Sequence, residues 1–361
     1  MKVIMFGPSY GHNAAGFIEL FKSSTDHEYV YICKGKTDWH SVGNLKVISY
    51  EKSFTKEIVK ALKEKAFIWV HGGYDIKQML SILFHKNNDS FMSVNLWGEQ
   101  VAMMSVGNSI KGVIYRYIFK KIDLLHCNWY GVYDLVKNDF TNAKVYPWGL
   151  VSNFYSDSES DISDFTSNFM SDLPANKFKF FYPKSILPIS GQVEVIEACK
   201  ILKEDIGDKF VVYLWNGNTS DARMVSECTK LIKKYQLSDT VRIVKHPYLS
   251  FYEIKQIWNE MDCGLQIAKS DQLSTSFLEP QYLEKEIIAT SIAPYVAYNH
   301  KYNTNLKMVG VDVIEIAKAM KSMANNEFTT PEADLRLRKK IVLDEFNFDE
   351  NIKRVINEYI S

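Results

Sequence analysis

Asp271 and Glu279 bracket the hydroxyl run Ser274-Thr275-Ser276, a set of side chains able to hold both an anion and a polyol. The apolar run Cys263-Gly264-Leu265-Gln266-Ile267-Ala268 before them is short enough for a parallel-sheet strand, and the stretch from Phe277 to Ile288 is more helix-like. The hydroxyls therefore fall at a strand-to-helix turn. The first turn of a helix has N–H groups without internal acceptors, at the positive end of the dipole, and so suits a phosphate. Glu279, just inside that helix, could grip neighbouring sugar hydroxyls. The purely local alternative is an S-x-x-E capping box between Ser276 and Glu279.

Other candidate groups also follow apolar runs. Tyr182-Pro183-Lys184-Ser185 supplies a cation beside a turn, where a lysine could neutralise a diphosphate. Asn216-Gly217-Asn218 follows Tyr213-Leu214-Trp215, and Lys245-His246-Pro247-Tyr248 follows Val241–Val244. In an open α/β sheet, ligands bind outside the carboxyl ends of the strands, so these loops and the 271–276 turn are expected to converge on one pocket suited to a nucleoside diphosphate. In the first half, Gly7-Pro8-Ser9-Tyr10-Gly11-His12 follows the first apolar run, but it lacks the G-x-G-x-x-G spacing, which disfavours a dinucleotide oxidoreductase. His71-Gly72-Gly73-Tyr74-Asp75 and Trp97-Gly98-Glu99-Gln100 end further strands. Glu99 or His71 could act as an acid, a base or a hydroxyl ligand, while capping by Asp75 and packing of Trp97 are the structural alternatives.

The elements that must position these groups alternate throughout. Strands are expected at 3–6, 29–33, 45–49, 67–71, 92–96, 124–126 and 144–146, interleaved with helices, and a second alternating series starts at 178. At 361 residues the chain is too long for one core, so two domains with a cleft are expected. The expected division is an N-terminal Rossmann-like domain (1–154), a Ser/Asp-rich linker (155–177), a C-terminal Rossmann-like domain (178–330) and closing helices (331–361) that return to the first domain.

Lys plus Arg and Asp plus Glu both number 43, so no overall field draws the chain to nucleic acid. The five cysteines lack a C-x-x-C pair and lie mostly in apolar runs, which reads as the reduced core of a cytosolic protein. No run is long enough to span a bilayer. Residues 109–121 combine apolar side chains at helical spacing with four cations, which suits an anionic membrane surface. The commoner arrangement has Ile110, Val113, Ile114 and Tyr117 facing the sheet and the lysines facing water.

With these motifs in order, the second half resembles the donor-binding domain of a GT-B glycosyltransferase, most like the retaining family 4. The resemblance rests on Phe181-Tyr182-Pro183-Lys184-Ser185 with Val195-Ile196-Glu197-Ala198, on Tyr213-Leu214-Trp215-Asn216-Gly217, on Val241 to Pro247, and on the E-x7-E motif, here Asp271-x7-Glu279. Carried over, it implies that Glu279 binds the ribose hydroxyls, that Ser274 and Thr275 bind the diphosphate, and that Asp271 approaches the donor sugar. Lys184 would stabilise the leaving diphosphate, with His246, Tyr248 and Asn216 around the donor and Gly11, His12, His71 and Trp97 lining the acceptor side. Two departures stand out. The first acid is the shorter Asp271, and the usual second basic residue falls near Ser190-Gly191, where there is no lysine. The family's N-domain histidine falls at 95–97, leaving His12 and His71 as substitutes. Trp97-Gly98-Glu99 is also similar to fucosaminyltransferases acting on lipid-linked intermediates.

The expectation is therefore a retaining hexosyltransferase that needs neither metal nor cofactor, since Lys184 and helix amides can neutralise the diphosphate. It would transfer sugar from a nucleotide donor to a glycan or lipid-linked acceptor in bacterial surface polysaccharide assembly, in the cytoplasm or at the inner face of the membrane. A nucleotide-sugar epimerase or hydrolase of the same fold, and a catalytically silent binding subunit, remain open.

Overall fold

The computed structural model describes residues 1–9, 12–24, 26–71, 75–96, 110–147, 149–150, 152–155, 162–217, 220–245 and 249–360. The chain forms two compact units, Met1–Ser152 with Asn347–Ser361, and Asn153–Phe346. Each is built around one parallel sheet.

In the first unit the strands are β1 (Lys2–Gly7), β2 (Glu28–Lys34), β3 (Leu45–Tyr50), β4 (Ala66–His71), β5 (Phe91–Leu96), β6 (Leu124–Cys127) and β7 (Ala143–Val145). Their order is β3-β2-β1-β4-β5-β6-β7, all parallel. Helices α1 (His12–Ser23), α2 (Lys56–Lys63), α3 (Ile76–His85), α4 (Ile110–Phe119) and α5 (Tyr130–Val136) connect them. A parallel sheet is covered on both faces, so its central strands must be apolar throughout. All six residues of β4 are buried accordingly.

The second unit has β8 (Phe178–Tyr182), β9 (Phe210–Asn216), β10 (Val241–Lys245), β11 (Cys263–Gln266), β12 (Glu286–Thr290) and β13 (Lys307–Val309), in the order β10-β9-β8-β11-β12-β13 and again parallel. After a helical turn at Ser152–Tyr155, its helices are α6 (Asp164–Ser171), α7 (Gln192–Ile206), α8 (Ala222–Lys234), α9 (Phe251–Glu260), α10 (Thr275–Tyr282), α11 (Ala293–Tyr302), α12 (Val313–Ala324) and α13 (Glu332–Glu345). Successive strand residues alternate faces. Phe180 thus joins Ile196, Leu214 and Ile288 in one core layer, while Phe181 joins Tyr213, Trp215 and Trp258 in the other.

Part of the 155–177 stretch packs on this unit. Glu253 of α9 accepts the Ser163 N–H at 3.0 Å and the Thr166 hydroxyl at 2.9 Å, which ties α6 down. Of the two closing helices, α13 belongs to the second unit, where buried Arg338 donates to the Thr304 and Asn305 carbonyls at 2.8 and 2.7 Å. The last helix, α14 (Phe348–Ile360), belongs to the first unit. There the Phe348 ring lies 4.9 Å from Phe17, and Tyr359 stacks on Phe91 at 4.6 Å.

All five cysteines are buried and free. The apolar residues of α4 do not share one face. Gly112, Tyr115, Ile118 and Phe119 are buried, whereas Ile110, Val113 and Tyr117 are exposed, so the expectation that the latter group packs on the sheet is corrected. A helix apolar on more than one side has only one side covered by its own sheet. No described helix is long and apolar enough to cross a membrane.

Candidate functional site

In the second unit the chain runs from β8 through β9 to β10 on one side of the sheet, then returns to β11 and continues to β13 on the other. The order reverses between β8 and β11. A crevice opens at such a switch point because the loops after the two strands leave in opposite directions. Lys184 follows β8 and Asp271 follows β11, and their side chains meet there, Nζ to Oδ2, at 2.7 Å.

The Lys184 loop is held by specific contacts. Gln192 Nε2 donates to the Lys184 and Ser185 carbonyls at 3.2 and 3.1 Å, and the Tyr182 hydroxyl donates to the Ser190 carbonyl. Gly191 has φ +69°, and a Cβ there would lie 1.8 Å from the Ile267 carbonyl oxygen. Glycine is required on both counts, and its absent side chain lets the loop abut the end of β11.

Three donors converge on Asp271 Oδ2: Lys184, the Ser274 hydroxyl at 2.8 Å and the Tyr295 hydroxyl. Tyr295 comes from α11 and stacks on Phe277, with ring centroids 4.2 Å apart. Burial alone would raise the Asp271 carboxyl and is the largest single influence. The charge and hydrogen bond of Lys184, with Tyr295 and the Gln272 N–H, outweigh it and hold the carboxyl below its ordinary value. Since Ser274 donates to Asp271, its 2.9 Å contact with the Ser276 hydroxyl is one in which Ser276 donates.

Ser274 is the N-cap of α10, yet its side chain accepts no helix N–H. The first-turn amides of α10 are thus left without that cap, as an anion site requires. Leu273, just before, has φ +54°, a left-handed conformation costly for a residue with a branched side chain and found where surrounding contacts enforce it.

The capping box between Ser276 and Glu279 does not form. Ser276 lies inside the helix, and Glu279 Oε2 instead accepts from Trp258 Nε1 at 2.8 Å. Burial pushes the Glu279 carboxyl up to about 7, against the opposing influence of Trp258, the Lys184 charge and the Thr275 hydroxyl. Pro280 explains another contact. It has no N–H to offer the Ser276 carbonyl four residues back. Gln266 at the end of β11 fills that role, its Nε2 donating to the Ser276 oxygen at 2.6 Å.

The structure therefore brings Lys184, Asp271, Ser274, Thr275 and Glu279 into one cluster, and Lys184 acts electrostatically on both acids. Asn216 is half-buried at the end of β9, on the far side of β8 from β11. His71 ends β4 in the first unit and is 1% exposed, with Nδ1 3.0 Å from Asn95 Nδ2. Burial, then the neighbouring His126, lowers it to about 3, so the ring is neutral. Gly11, Trp97, Glu99, His246 and Tyr248 lie outside the described residues, and only the backbone of His12 is described, at the start of α1. Asp157, Glu159 and Asp161 of the acidic stretch also lie outside them. Among the described residues no group of three or more His, Cys, Asp or Glu could hold a metal ion.

Sequence reasoning missed Gln192, Trp258, Gln266 and Tyr295. Pro280 inside a helix and a glutamine in an otherwise apolar strand were signals for Gln266. Neither Trp258 nor Tyr295 carried one.

Neither a protein-family model nor a curated protein matches the sequence. Solved structures do match over the whole length. Anabaena HepE in complex with UDP and glucose has a TM-score of 0.76 at 13% identity and covers 100% of both chains. A glycosyltransferase from Rickettsia africae has a TM-score of 0.72 at 14% identity, covering 99% of this chain and 97% of its own. Sucrose-phosphate synthase from Thermosynechococcus elongatus has 0.73 at 11%, covering 100% and 98%. At such identities the likeness establishes the fold, and the chain has the GT-B fold of two Rossmann-like parallel-sheet domains.

Proposed function

We propose that the protein is a glycosyltransferase that takes its sugar from a nucleoside diphosphate donor held by the second unit. The observation that carries this reading is the Lys184–Asp271 pair at the β8/β11 switch point, beside an uncapped helix N-terminus and the buried carboxyl of Glu279. The HepE structures hold UDP, UDP with glucose, and UDP-glucose, which supports a nucleotide-sugar donor on this fold.

In this reading the α10 amides, with Ser274 and Thr275, receive the diphosphate, and Glu279 accepts from the ribose hydroxyls. Lys184 stabilises the charge that develops on the diphosphate as the glycosidic bond breaks, where electrostatic help lowers the barrier. Asp271, pinned by three donors, orients Lys184 and presents its other oxygen toward the donor sugar. The first unit takes the acceptor, a glycan or a lipid-linked saccharide, and transfer proceeds with retention of configuration. A lipid-linked acceptor would place the reaction at the inner face of a membrane, in surface polysaccharide assembly.

The test is a thermal-unfolding panel of nucleoside diphosphate sugars. A donor at a hundred times its Kd should stabilise the protein by about 2.7 kcal/mol. Glu279→Ala should abolish the shift. If no nucleoside diphosphate sugar protects the wild-type protein, the donor-site reading is wrong.

A further inference from the structure

We infer that α3 and α4 together form a docking face for an anionic lipid bilayer. The inference names a partner for the proposed transferase but rests on the first unit alone. On α4, Ile110, Val113 and Tyr117 are 79, 53 and 60% exposed, and on the adjoining α3, Leu80 and Phe84 are 45 and 84% exposed. Single exposed apolar residues are ordinary, but five on two adjoining helices are not, and Leu80, Phe84 and Tyr117 line one groove. Their spacing is helical on both elements, so each presents a stripe. Between the helices lies a groove of about 1030 Å³ lined by Leu80, Phe84, Tyr117 and Lys121 among others.

Charge decides the occupant. Residues 76–86 and 110–121 hold six Lys or Arg and no Asp or Glu, in a chain whose acids and bases are equal at 43 each. Lys77, Lys111, Lys120 and Lys121 are exposed. Two of the flanking acids are engaged: Asp75 caps α3 and pairs with Lys34 at 3.1 Å, and Asp123 accepts the Met92 N–H at 2.8 Å. A protein partner of ordinary composition would not need so one-sided a rim. An anionic bilayer offers acyl chains for the stripes and phosphates for the lysines, the pattern of an interfacial amphipathic surface. Lys121 sits over the Tyr117 ring at 5.6 Å, so an apolar body and a cation are presented together.

The experiment is co-sedimentation of the full chain with vesicles of phosphatidylcholine alone or mixed with phosphatidylglycerol, at low and high salt. Binding should require phosphatidylglycerol and weaken with salt. Lys120→Glu with Lys121→Glu should reduce it on the order of ten-fold or more, given the surface contribution of each lysine. Phe84→Ser with Ile110→Ser should do the same at unchanged thermal stability, because both side chains already face water. No binding to anionic vesicles overturns the inference, as does binding that both double variants leave intact. A concentration-dependent dimer that Phe84→Ser dissolves, without vesicle binding, would assign the face to a second copy instead. Donor protection measured on the same samples separates failure here from failure of the transferase reading.

Discussion

Replacing Glu279 with glutamine should make the protein more stable at alkaline pH while weakening binding at the proposed donor site. The carboxyl is raised from its ordinary 4.5 to about 7 by burial. An unfolded chain releases this proton near 4.5, whereas the folded protein keeps it until about 7. The folded state thus binds more protons across that window, and stability falls as pH rises through it. At about 1.4 kcal/mol per pH unit, the ionised carboxylate costs the folded protein roughly 3 kcal/mol above pH 7, of which about 2.5 accrues between pH 5 and 8. Glutamine has the same shape, can still accept from Trp258 Nε1 and can donate to the Thr275 hydroxyl, so Glu279→Gln removes the charge without opening a cavity. Urea unfolding of both proteins should give stabilities that diverge by about 2.5 kcal/mol over this pH range, with the variant ahead at pH 8. Donor binding should show the complementary trend. A nucleoside diphosphate sugar does not titrate in this range, so its affinity for the wild type should fall up to about ten-fold per pH unit below 7. Parallel stability curves between pH 5 and 8 would refute the reasoning, because the buried carboxyl would then ionise as it does in water.

Lys184→Ala leaves Asp271 as a carboxylate without its counter-ion, with Tyr295 and Ser274 still donating to it. The pair is 14 and 12% exposed, so the expected loss is about 3 kcal/mol at pH 7, at the lower end for a broken buried pair. The stabilisation that Lys184 gives ionised Asp271 is present above the unfolded value of 3.8 and disappears as pH falls through the lower folded value, so the wild type itself weakens in acid. In the variant Asp271 protonates more readily, and the difference in chemical stability between the two should shrink at pH 4. Gly191→Ala should cost more than the roughly 1–2 kcal/mol of a left-handed backbone alone, and lower the Tm accordingly, since its Cβ would also meet the Ile267 oxygen. An unchanged Tm would show that the loop after β8 does not abut β11.

The strands were legible because a parallel sheet buries both faces. Val3–Phe6, Phe67–His71 and Phe178–Tyr182 are apolar with little interruption, and each lies within the strand that forms, give or take a residue. The placement of Lys184 beside Asp271 followed from the same alternation, since strand order fixes which loops are neighbours. Local motifs misled where a distant group competed. Ser276 and Glu279 have capping-box spacing, but the helix begins at Thr275, and a tryptophan 21 residues earlier takes the carboxylate. Tyr295 reaches Asp271 from 24 residues later. A window the length of a capping motif contains both partners of neither contact. On α4, apolar residues at helical spacing did not show which side meets the sheet, because the helix is apolar on more than one side. The side that is buried carries Gly112, Tyr115, Ile118 and Phe119.

The shorter acid at position 271 changes what the motif can do. A glutamate there could extend past its own loop, whereas Asp271 is held back by a lysine, a serine and a tyrosine on one oxygen. Its first effect is on Lys184, which it fixes in place and partly neutralises. There is no lysine at Ser190-Gly191, where the loop must instead be thin enough to meet Ile267, so in the proposed reading Lys184 and the α10 amides supply the positive charge to the diphosphate. Partial neutralisation of Lys184 would weaken the hold on a ground-state diphosphate, which in the proposed reading would lie beside a lysine already engaged. In the proposed transfer, as the glycosidic bond breaks and charge grows on the departing diphosphate, the attraction of Lys184 for it would rise while its attraction for Asp271 would not. A lysine tethered in this way would favour the transition state over bound substrate, which is the differential that catalysis requires.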